Sequence, residues 1–91
     1  MPRELILWSP QSRSNLGDRR VQYFAHTRRG EYVGLVEIIH SWQSNSPPLG
    51  YLGYLAGDPQ SVANNAGPDD LHKTQDEVEA EYYRRQEAVN G

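Results

Sequence analysis

The sequence predicts an α+β fold: an antiparallel sheet of three or four strands with a C-terminal α-helix packed on one face. Two segments, 19–28 and 31–42, alternate like strands on either side of a tight Arg29-Gly30 turn. A third segment, 74–89, begins with the residue pattern of a helix N-terminus. The 91 residues suit one domain. The expected segments within 1–91 are the sheet at 4–57, a linker at 58–67 and a C-terminal helical segment at 68–90.

The first predicted strand is the apolar run at residues 4–8, which Ser9 and Pro10 are expected to end. Because its residues are apolar on both sides of the strand, we expect it to be central in the sheet or covered on both faces. The polar segment 9–18 that follows is predicted to be a loop. Its hydroxyls and Arg13 could hold a phosphate, but an ordinary solvated connection is the favoured interpretation.

The central hairpin has the clearest strand pattern, because residues 31–42 are rich in β-branched and aromatic side chains and contain no proline. A two-residue Arg29-Gly30 loop would pair Thr27 with Tyr32, Ala25 with Gly34, Tyr23 with Val36 and Val21 with Ile38, on one mainly apolar face that His40 and Trp42 extend. The alternative is a type I turn with Gly30 in the left-handed conformation, which shifts the pairing by one residue. We favour the first register because it separates the faces better. The opposite face then mixes polar residues with Phe24, Val33, Leu35 and Ile39.

Residues 49–57 fit either a helix or a strand. Leucines recur at three-residue spacing, but Gly50 and Gly53 would each cost about 1 kcal/mol in a helix. We therefore favour a strand, in which the glycines allow a neighbouring element to approach closely. Its faces would carry Tyr51, Gly53 and Leu55 on one side, and Leu52 and Tyr54 on the other. Asp58 is expected to cap a short helical turn over 60–63.

The C-terminal helix is predicted from a capping box, in which the Thr74 hydroxyl accepts a backbone N–H and Glu77 reaches back to the Thr74 N–H. A start near Pro68 is the alternative. Acidic residues near the start and basic residues near the end suit the helix dipole, and Glu81 with Arg85 forms a favourable i,i+4 pair. The predicted inward stripe is Leu71, Val78, Tyr82 and Val89.

Composition excludes several classes of site. The chain has no cysteine, so it carries no disulfide, thiolate zinc site or cysteine nucleophile. The three histidines, His26, His40 and His72, lack the spacing of a metal site, and we expect neither a metal nor another cofactor. No apolar run approaches the length of a signal peptide or a transmembrane helix. A cytoplasmic protein without a membrane partner is therefore expected.

The lack of a catalytic motif favours a non-catalytic protein–protein interaction module, an inhibitor or adaptor that acts by contact with a larger complex. In size and in this lack, the chain is similar to small acidic accessory proteins of phages and mobile elements, which is an analogy of kind alone. The expected partner is another protein with a basic groove, or a second copy of the chain, because the first half is net basic and the second half net acidic. The candidate partner-binding residues are Asp76, Glu77, Glu79, Tyr83, Tyr51 and Tyr54.

Binding of RNA or single-stranded DNA is the alternative function. Arginines can hold phosphates while neighbouring aromatic rings stack on bases, and the candidate residues are Arg19, Arg20, Tyr23, Phe24, Arg28 and Arg29. The net charge of −3 argues against this partner. A more distant alternative is a metal-independent ribonuclease that uses His26 and His40 as acid and base, although no spacing brings the two histidines together.

Overall fold

An antiparallel sheet of five strands and one helix make up the computed structural model, which describes residues 5–12, 21–40 and 47–90. The elements are β1 (Ile6–Ser12), β2 (Val21–Thr27), β3 (Tyr32–Ile39), β4 (Gly50–Leu55), β5 (Ala63–Asn65) and α1 (Leu71–Asn90). Each strand pairs with the next one in the chain. The predicted α+β class is confirmed, with one strand more than the highest number expected. The predictions for Arg13, Arg19, Arg20 and Trp42 lie outside the described residues.

The first strand departs from its prediction in length and in place. β1 continues through Ser9 and Pro10 to Ser12, and in the described sheet it pairs with β2 alone, so it is an edge strand rather than a central one. A proline is tolerated there because one side of an edge strand needs no backbone donors. Leu5 and Leu7 are 56% and 41% exposed. The prediction that this run is buried on both faces is therefore wrong.

The turn of the central hairpin follows the alternative that the sequence allowed. Gly30 is left-handed, with a φ of +89°. Its N–H donates to the Thr27 carbonyl at 2.9 Å, and the Thr27 N–H donates to the Glu31 carbonyl, also at 2.9 Å. This three-residue loop opposes His26 to Tyr32. The two arginines of the turn consequently avoid positive φ, which was the weakness of the favoured register.

A β-bulge then restores the favoured register further along. Val33 is an extra residue of β3, between the residues that pair with His26 and with Ala25. Beyond it the pairs are those predicted: Ala25 with Gly34 and Tyr23 with Val36. Because the bulge interrupts the alternation, Val33 is buried on the helix side and Tyr32 is exposed on the other side. Both residues were predicted on the opposite faces.

β4 confirms the strand predicted within 49–57, together with its faces. Tyr51, Gly53 and Leu55 are buried, whereas Leu52 and Tyr54 are half-buried. A helix residue lies directly over Gly53, since a Cβ at this position would overlap the Val78 side chain and would lie 3.1 Å from the Cβ of Ala63. The expected close approach at this glycine is therefore that of α1 itself.

The short helical turn predicted over 60–63 is wrong. Asp58 does accept a hydrogen bond from the Gln60 N–H at 3.0 Å, but this contact forms a local turn that no helix follows. The chain instead enters β5 at Ala63, inside the segment expected to be a linker. β5 pairs with β4 and closes the sheet at its second edge.

α1 begins at Leu71, ahead of the predicted cap at Thr74. The Asp70 carbonyl accepts the Thr74 N–H at 3.0 Å, so Thr74 lies within the first turn. Its buried hydroxyl donates to the Asp70 carbonyl at 2.7 Å and accepts a hydrogen bond from Asn65 Nδ2 at 2.9 Å. The Glu77 carboxylate also accepts from Asn65 Nδ2, at 2.9 Å, instead of closing a capping box. The first turn holds no acid and the last turn no base, so the expected match to the helix dipole is wrong.

The core lies between the sheet and α1 in two clusters. The larger core cluster contains the fully buried Val36 and Val78, together with Ile38, Tyr51, Leu55 and Ala63. The smaller core cluster is Ile6, Ala25 and Val33. Trp8 and Tyr82 pack against both clusters and join them.

The inward stripe of α1 is narrower and more polar than predicted. Leu71, Val78 and Tyr82 pack on the larger core cluster, as expected. Val89 is 82% exposed, so its place in the stripe is wrong, because the helix extends past the edge of the core. Gln75 is buried instead, beside Thr74. Among the described residues, no helix is long and apolar enough to span a membrane.

Candidate interaction surface

The sheet face opposite α1, which we call the open face, has none of the described elements packed on it. α1 contacts β3, β4 and β5 from the other side. Three rows of side chains cross the open face, because residues paired across neighbouring strands point the same way. The tyrosine row is Leu7, His26 and Tyr32; the central row is Ser9, Phe24, Leu35 and Tyr54; the acidic row is Gln22, Glu37, Leu52 and Asn64.

The open face is largely apolar. Leu35 lies at its centre, half-buried between Phe24 and Tyr54. Tyr32 is 50% exposed and Ile39, at the far end of β3, is 37% exposed. The rings of Phe24 and Tyr32 pack with their centroids 6.1 Å apart and an interplanar angle of 48°. The pairs of Phe24 with Leu35 and of Leu35 with Tyr54 make the apolar side chains of the central row neighbours, and an exposed apolar patch is typical of an interaction site.

The acidic row adds polar groups to this apolar surface. Gln22 and Glu37 pair across β2 and β3, and they line a shallow hollow together with Leu35 and Tyr54. Among the described residues, Gln22 Oε1 is the buried side-chain oxygen that has no hydrogen-bond partner. An unpaired buried acceptor costs about 1–3 kcal/mol.

Most of the acidic residues predicted to bind a partner are engaged within the chain. Glu77 accepts a hydrogen bond from Asn65 Nδ2 at 2.9 Å. Glu79 accepts one from Trp8 Nε1 at 3.3 Å and so connects α1 to the edge strand β1. Asp76 is exposed. The three carboxylates therefore do not form one acidic surface directed at a partner.

The three tyrosines predicted as anchors lie in three different environments. Tyr51 is only 4% exposed, and its hydroxyl donates to the Pro68 carbonyl at 2.6 Å, so it holds the segment before α1 against the sheet. Tyr83 is half-buried, with its ring in edge contact with Tyr82 at 5.6 Å between centroids. Tyr54 lies on the open face. Of the predicted anchors, Tyr54 alone belongs to the surface described above.

The residues predicted to bind nucleic acid are divided between the two sides of the sheet. Tyr23 packs against the larger core cluster, whereas Phe24 lies on the open face. Arg28 and Arg29 are exposed in the β2–β3 turn, where Glu31 is exposed beside them. Arg19 and Arg20 lie outside the described residues. The described part of this set is not a continuous basic and aromatic platform.

The two histidines of the ribonuclease alternative are not brought together. His26 is on the open face, next to the β2–β3 turn. His40 follows the opposite end of β3. In the part of the chain that the structure describes, no group of three or more histidine or acidic side chains is arranged to hold a metal ion.

Ion pairs attach the C-terminal part of α1 to the loop between β4 and β5. Arg85 donates to Glu81 at 3.0 Å, which confirms the predicted i,i+4 pair, and to Asp58 at 3.1 Å. Arg84 also binds Glu81. Hydrogen bonds from Arg84 and then Arg85 lower the pKa of Glu81 to about 2. Because these side chains lie at the surface, we expect them to orient the helix end more than to stabilise it.

Glu79 differs from Glu81 because burial desolvates it and no cation of the described residues pairs with it. Burial raises the pKa of Glu79 above its ordinary value, Asp76 adds to the effect, and the hydrogen bond from Trp8 opposes it. The folded state therefore favours protonated Glu79 more than the unfolded state does. The resulting destabilisation is present at neutral pH, is lost as the pH falls through the raised pKa, and is absent below the ordinary carboxyl pKa of 4.5.

We expect Glu79→Gln to raise the free energy of unfolding at pH 7. The amide carries no charge to desolvate, and its oxygen can still accept the hydrogen bond from Trp8. The gain should be below about 1 kcal/mol, because solvent screens a half-buried group. Urea unfolding followed by tryptophan fluorescence at pH 7 and pH 4 measures it, and the gain should disappear at pH 4. Asp76→Asn is the comparison: because it removes only the smaller repulsion that Asp76 adds, its gain should be smaller, and an equal gain would show that repulsion between the two acids, and not burial of Glu79, is responsible.

Sequence analysis did not select the aliphatic residues of the open face, above all Leu35 and Leu52, as candidate binding residues. The signal in the sequence was that β2 and β3 carry apolar residues on both faces, although a sheet face exposed to water is usually polar.

Comparison of the chain with protein-family models, curated proteins and solved structures finds no match.

Proposed function

We propose that the protein is a non-enzymatic protein–protein interaction module, an inhibitor or adaptor, whose binding surface is the open face. The observation that supports this most directly is the central row, where Leu35 lies between Phe24 and Tyr54 with none of the described elements over it. An apolar centre surrounded by polar side chains is the usual anatomy of a protein interface. The cytoplasmic location expected from the sequence remains part of this proposal.

The chemistry of the open face favours a protein over a charged polymer. Burial of aliphatic side chains such as Leu35, Leu52 and Ile39 in an interface lowers the free energy of the complex by about 25 cal/mol for each Å² of apolar surface removed from water. The aromatic rings add anchors of the kind that dominate interface energetics. A partner with complementary apolar residues would use both the aliphatic and the aromatic side chains of the open face.

The acidic residues of the helix predicted a partner with a basic groove. The contacts of those residues give this partner less support. Glu77 and Glu79 already accept hydrogen bonds within the chain, so a partner would have to replace those contacts. Asp76 remains as an exposed acid, and a single exposed charge contributes little to affinity. The helix α1 is therefore the alternative binding site for the same function.

Nucleic acid is the alternative partner for the open face itself. Phe24 and Tyr54 could stack on bases, and the exposed Arg28 and Arg29 could contact phosphates. Glu37 lies on the same face and would repel a phosphate backbone. Binding of this kind would be strongly weakened by salt, because it releases counterions.

The test is an affinity purification from the source cell, in which a tagged chain is co-expressed with an untagged copy. We expect the wild-type chain to retain a protein at fixed stoichiometry, Leu35→Arg to lose it, and the matched control Asp76→Lys to retain it. Circular dichroism checks that each variant is folded. Loss by Asp76→Lys with retention by Leu35→Arg would move the site to α1. Salt-sensitive recovery of nucleic acid, abolished by Arg28→Glu with Arg29→Glu, would establish the alternative function.

A further inference from the structure

We infer that the protein binds an extended, basic segment of another protein, which adds as a further strand at the free edge of β5 and lies alongside α1. The surface that receives it, which we call the edge groove, is lined by Asn65, Lys73, Asp76, Glu77 and Ala80. This site is separate from the apolar centre of the open face, so the inference goes beyond the proposed function. Unpaired backbone groups on β5, the shape of the groove and its charge support it.

The backbone groups of Asn64 point away from the sheet. The Ala56 N–H donates to the Val33 carbonyl at 2.8 Å. Because backbone groups alternate in direction along a strand, the even-numbered residues of β4 also bond to β3, and its odd-numbered residues face β5. Those odd-numbered residues pair with Ala63 and Asn65. The N–H and the carbonyl of Asn64, between them, are therefore directed at the free edge.

The three residues of β5 carry neither proline nor charge. Among the described residues, β5 pairs with β4 alone. Natural sheet edges are commonly protected by proline or by charged side chains, and the opposite edge strand, β1, does contain Pro10. Asn64 is exposed, so an incoming strand would meet a free donor and a free acceptor at this residue.

The helix forms a wall beside this edge. Asn65 points towards α1, where its Nδ2 donates to the Glu77 carboxylate at 2.9 Å. The exposed side chains of Lys73, Asp76 and Ala80 extend the wall, and the groove has a volume of about 670 Å³. Residues paired across neighbouring strands share a face, so a side chain opposite Asn65 in an added strand would enter the groove. Addition of a strand to a sheet edge is a common mode of peptide recognition.

The charge of the groove favours a basic segment. Asp76 is exposed, and Glu77 accepts its hydrogen bond from a neutral amide, so both carboxylates keep their negative charge. Among the described residues, neither carboxylate forms an ion pair with a cation. Asn65 occupies one oxygen of Glu77, which leaves the other oxygen for a second donor. Lys73 offsets one of the two charges, so a lysine or arginine of the added strand is attracted and an acidic side chain is repelled.

An NMR titration of the isotope-labelled chain tests the inference. The probe is a capped peptide of about seven residues, within the usual length of a strand, in which threonine and lysine alternate. We expect the resonances of the Asn64 amide and of the α1 residues in the edge groove to shift, and hydrogen exchange at Asn64 to slow. Because β5 is short, the dissociation constant should be roughly 1 mM. No shift at about 5 mM peptide would overturn the inference.

Asn64→Pro removes the backbone donor that the added strand needs. An edge strand tolerates this substitution, because the lost N–H points away from β4. The dissociation constant of the peptide should rise at least about 10-fold. Asn64→Ala, which keeps the N–H and removes only the side chain, is the matched control and should leave it unchanged. Equal affinities of the two variants for the peptide would overturn the inference.

Methylated peptides test the same hydrogen bonds without any change to the protein. The described sheet is antiparallel throughout, so we expect an antiparallel strand, in which the residue opposite Asn64 uses its own N–H. That residue is a threonine when the lysines face the groove. N-methylation of the threonines should abolish binding, whereas N-methylation of the lysines should preserve it. Equal binding of the two methylated peptides would contradict strand addition.

The last controls address charge and place. Glutamate instead of lysine in the peptide should raise the dissociation constant at least about 10-fold, and equal affinity would overturn the preference for a basic segment. Leu35→Ser, on the open face, should not change peptide binding; loss of binding in that variant would place the peptide on the open face and overturn the inference. Shifts of the same resonances on raising the protein concentration without peptide would assign the edge to a second copy of the chain and overturn it as well.

Discussion

Val36→Asp should unfold the protein. Val36 is fully buried in β3, the middle strand, where it pairs with Tyr23 on one side and Gly53 on the other under α1. A carboxylate at this position would lose its hydration without gaining a partner. Substitutions of this type cost more than about 4 kcal/mol, which is comparable to the whole stability of a small domain.

Leu35→Asp is the matched control for this substitution. Leu35 is the next residue of the same strand, but it is on the open face and half-buried. We expect that variant to keep a cooperative thermal transition, measured by circular dichroism, whereas Val36→Asp should show none. A normal melting transition for Val36→Asp, or equal damage from both substitutions, would mean that the two faces of β3 are wrongly assigned.

Gly53→Ala should have the second largest effect on stability. The added Cβ would overlap the Val78 side chain and would lie 3.1 Å from the Cβ of Ala63. Val78 is fully buried in a helix, where a β-branched side chain has one favoured rotamer, so it cannot turn aside. Overpacking of this kind costs about 1–3 kcal/mol. Urea unfolding of the purified variant measures the loss.

Val78→Ala provides the internal control for Gly53→Ala. That substitution alone creates a cavity and should cost about 2 kcal/mol. In the double variant, the new methyl group at residue 53 enters the space that the valine leaves, so the two losses should partly cancel instead of adding. Simple additivity would show that α1 does not lie over Gly53 as the structure places it.

The parts of the fold that the sequence predicted well depend on local alternation. In β2 and β3 the pairing of Tyr23 with Val36 follows from which residues are apolar at every second position. The strand at β4 follows from Gly50 and Gly53, because glycine is poor in helices and permits close packing in strands. Because these signals depend on residues close together in the chain, they do not depend on how the rest of the chain folds.

The errors in the predicted elements arise where tertiary packing decides between equivalent local patterns. The sequence allows α1 to start at a Thr74 capping box or earlier, after Pro68. The structure has the earlier start, in which Thr74 forms a buried hydrogen bond with Asn65. An apolar run such as residues 4–8 suits a covered strand, but it also suits an edge strand whose second face is exposed, as Leu5 and Leu7 are. Periodicity alone does not distinguish these cases.

The candidate site was least predictable because long-range contacts determine which side chains remain exposed. Glu79 was selected as a partner-binding acid, but it accepts a hydrogen bond from Trp8, 71 residues away. Tyr51 was selected as an exposed anchor, but its hydroxyl reaches Pro68. Conversely, Leu35 belongs to the surface only because α1 covers the other side of the sheet.

The β-bulge at Val33 has a consequence for how the length of this hairpin can change. Removing Val33 would leave every other pair of β2 and β3 with its present partner, because Val33 is the residue that β2 does not match. The extra residue therefore adds one side chain to the smaller core cluster and displaces none. In evolutionary terms, this is a place where the chain can gain or lose one residue while the pairs of β2 with β3 keep their alignment, although the loss removes the hydrogen bond that the Val33 carbonyl accepts from the Ala56 N–H at 2.8 Å.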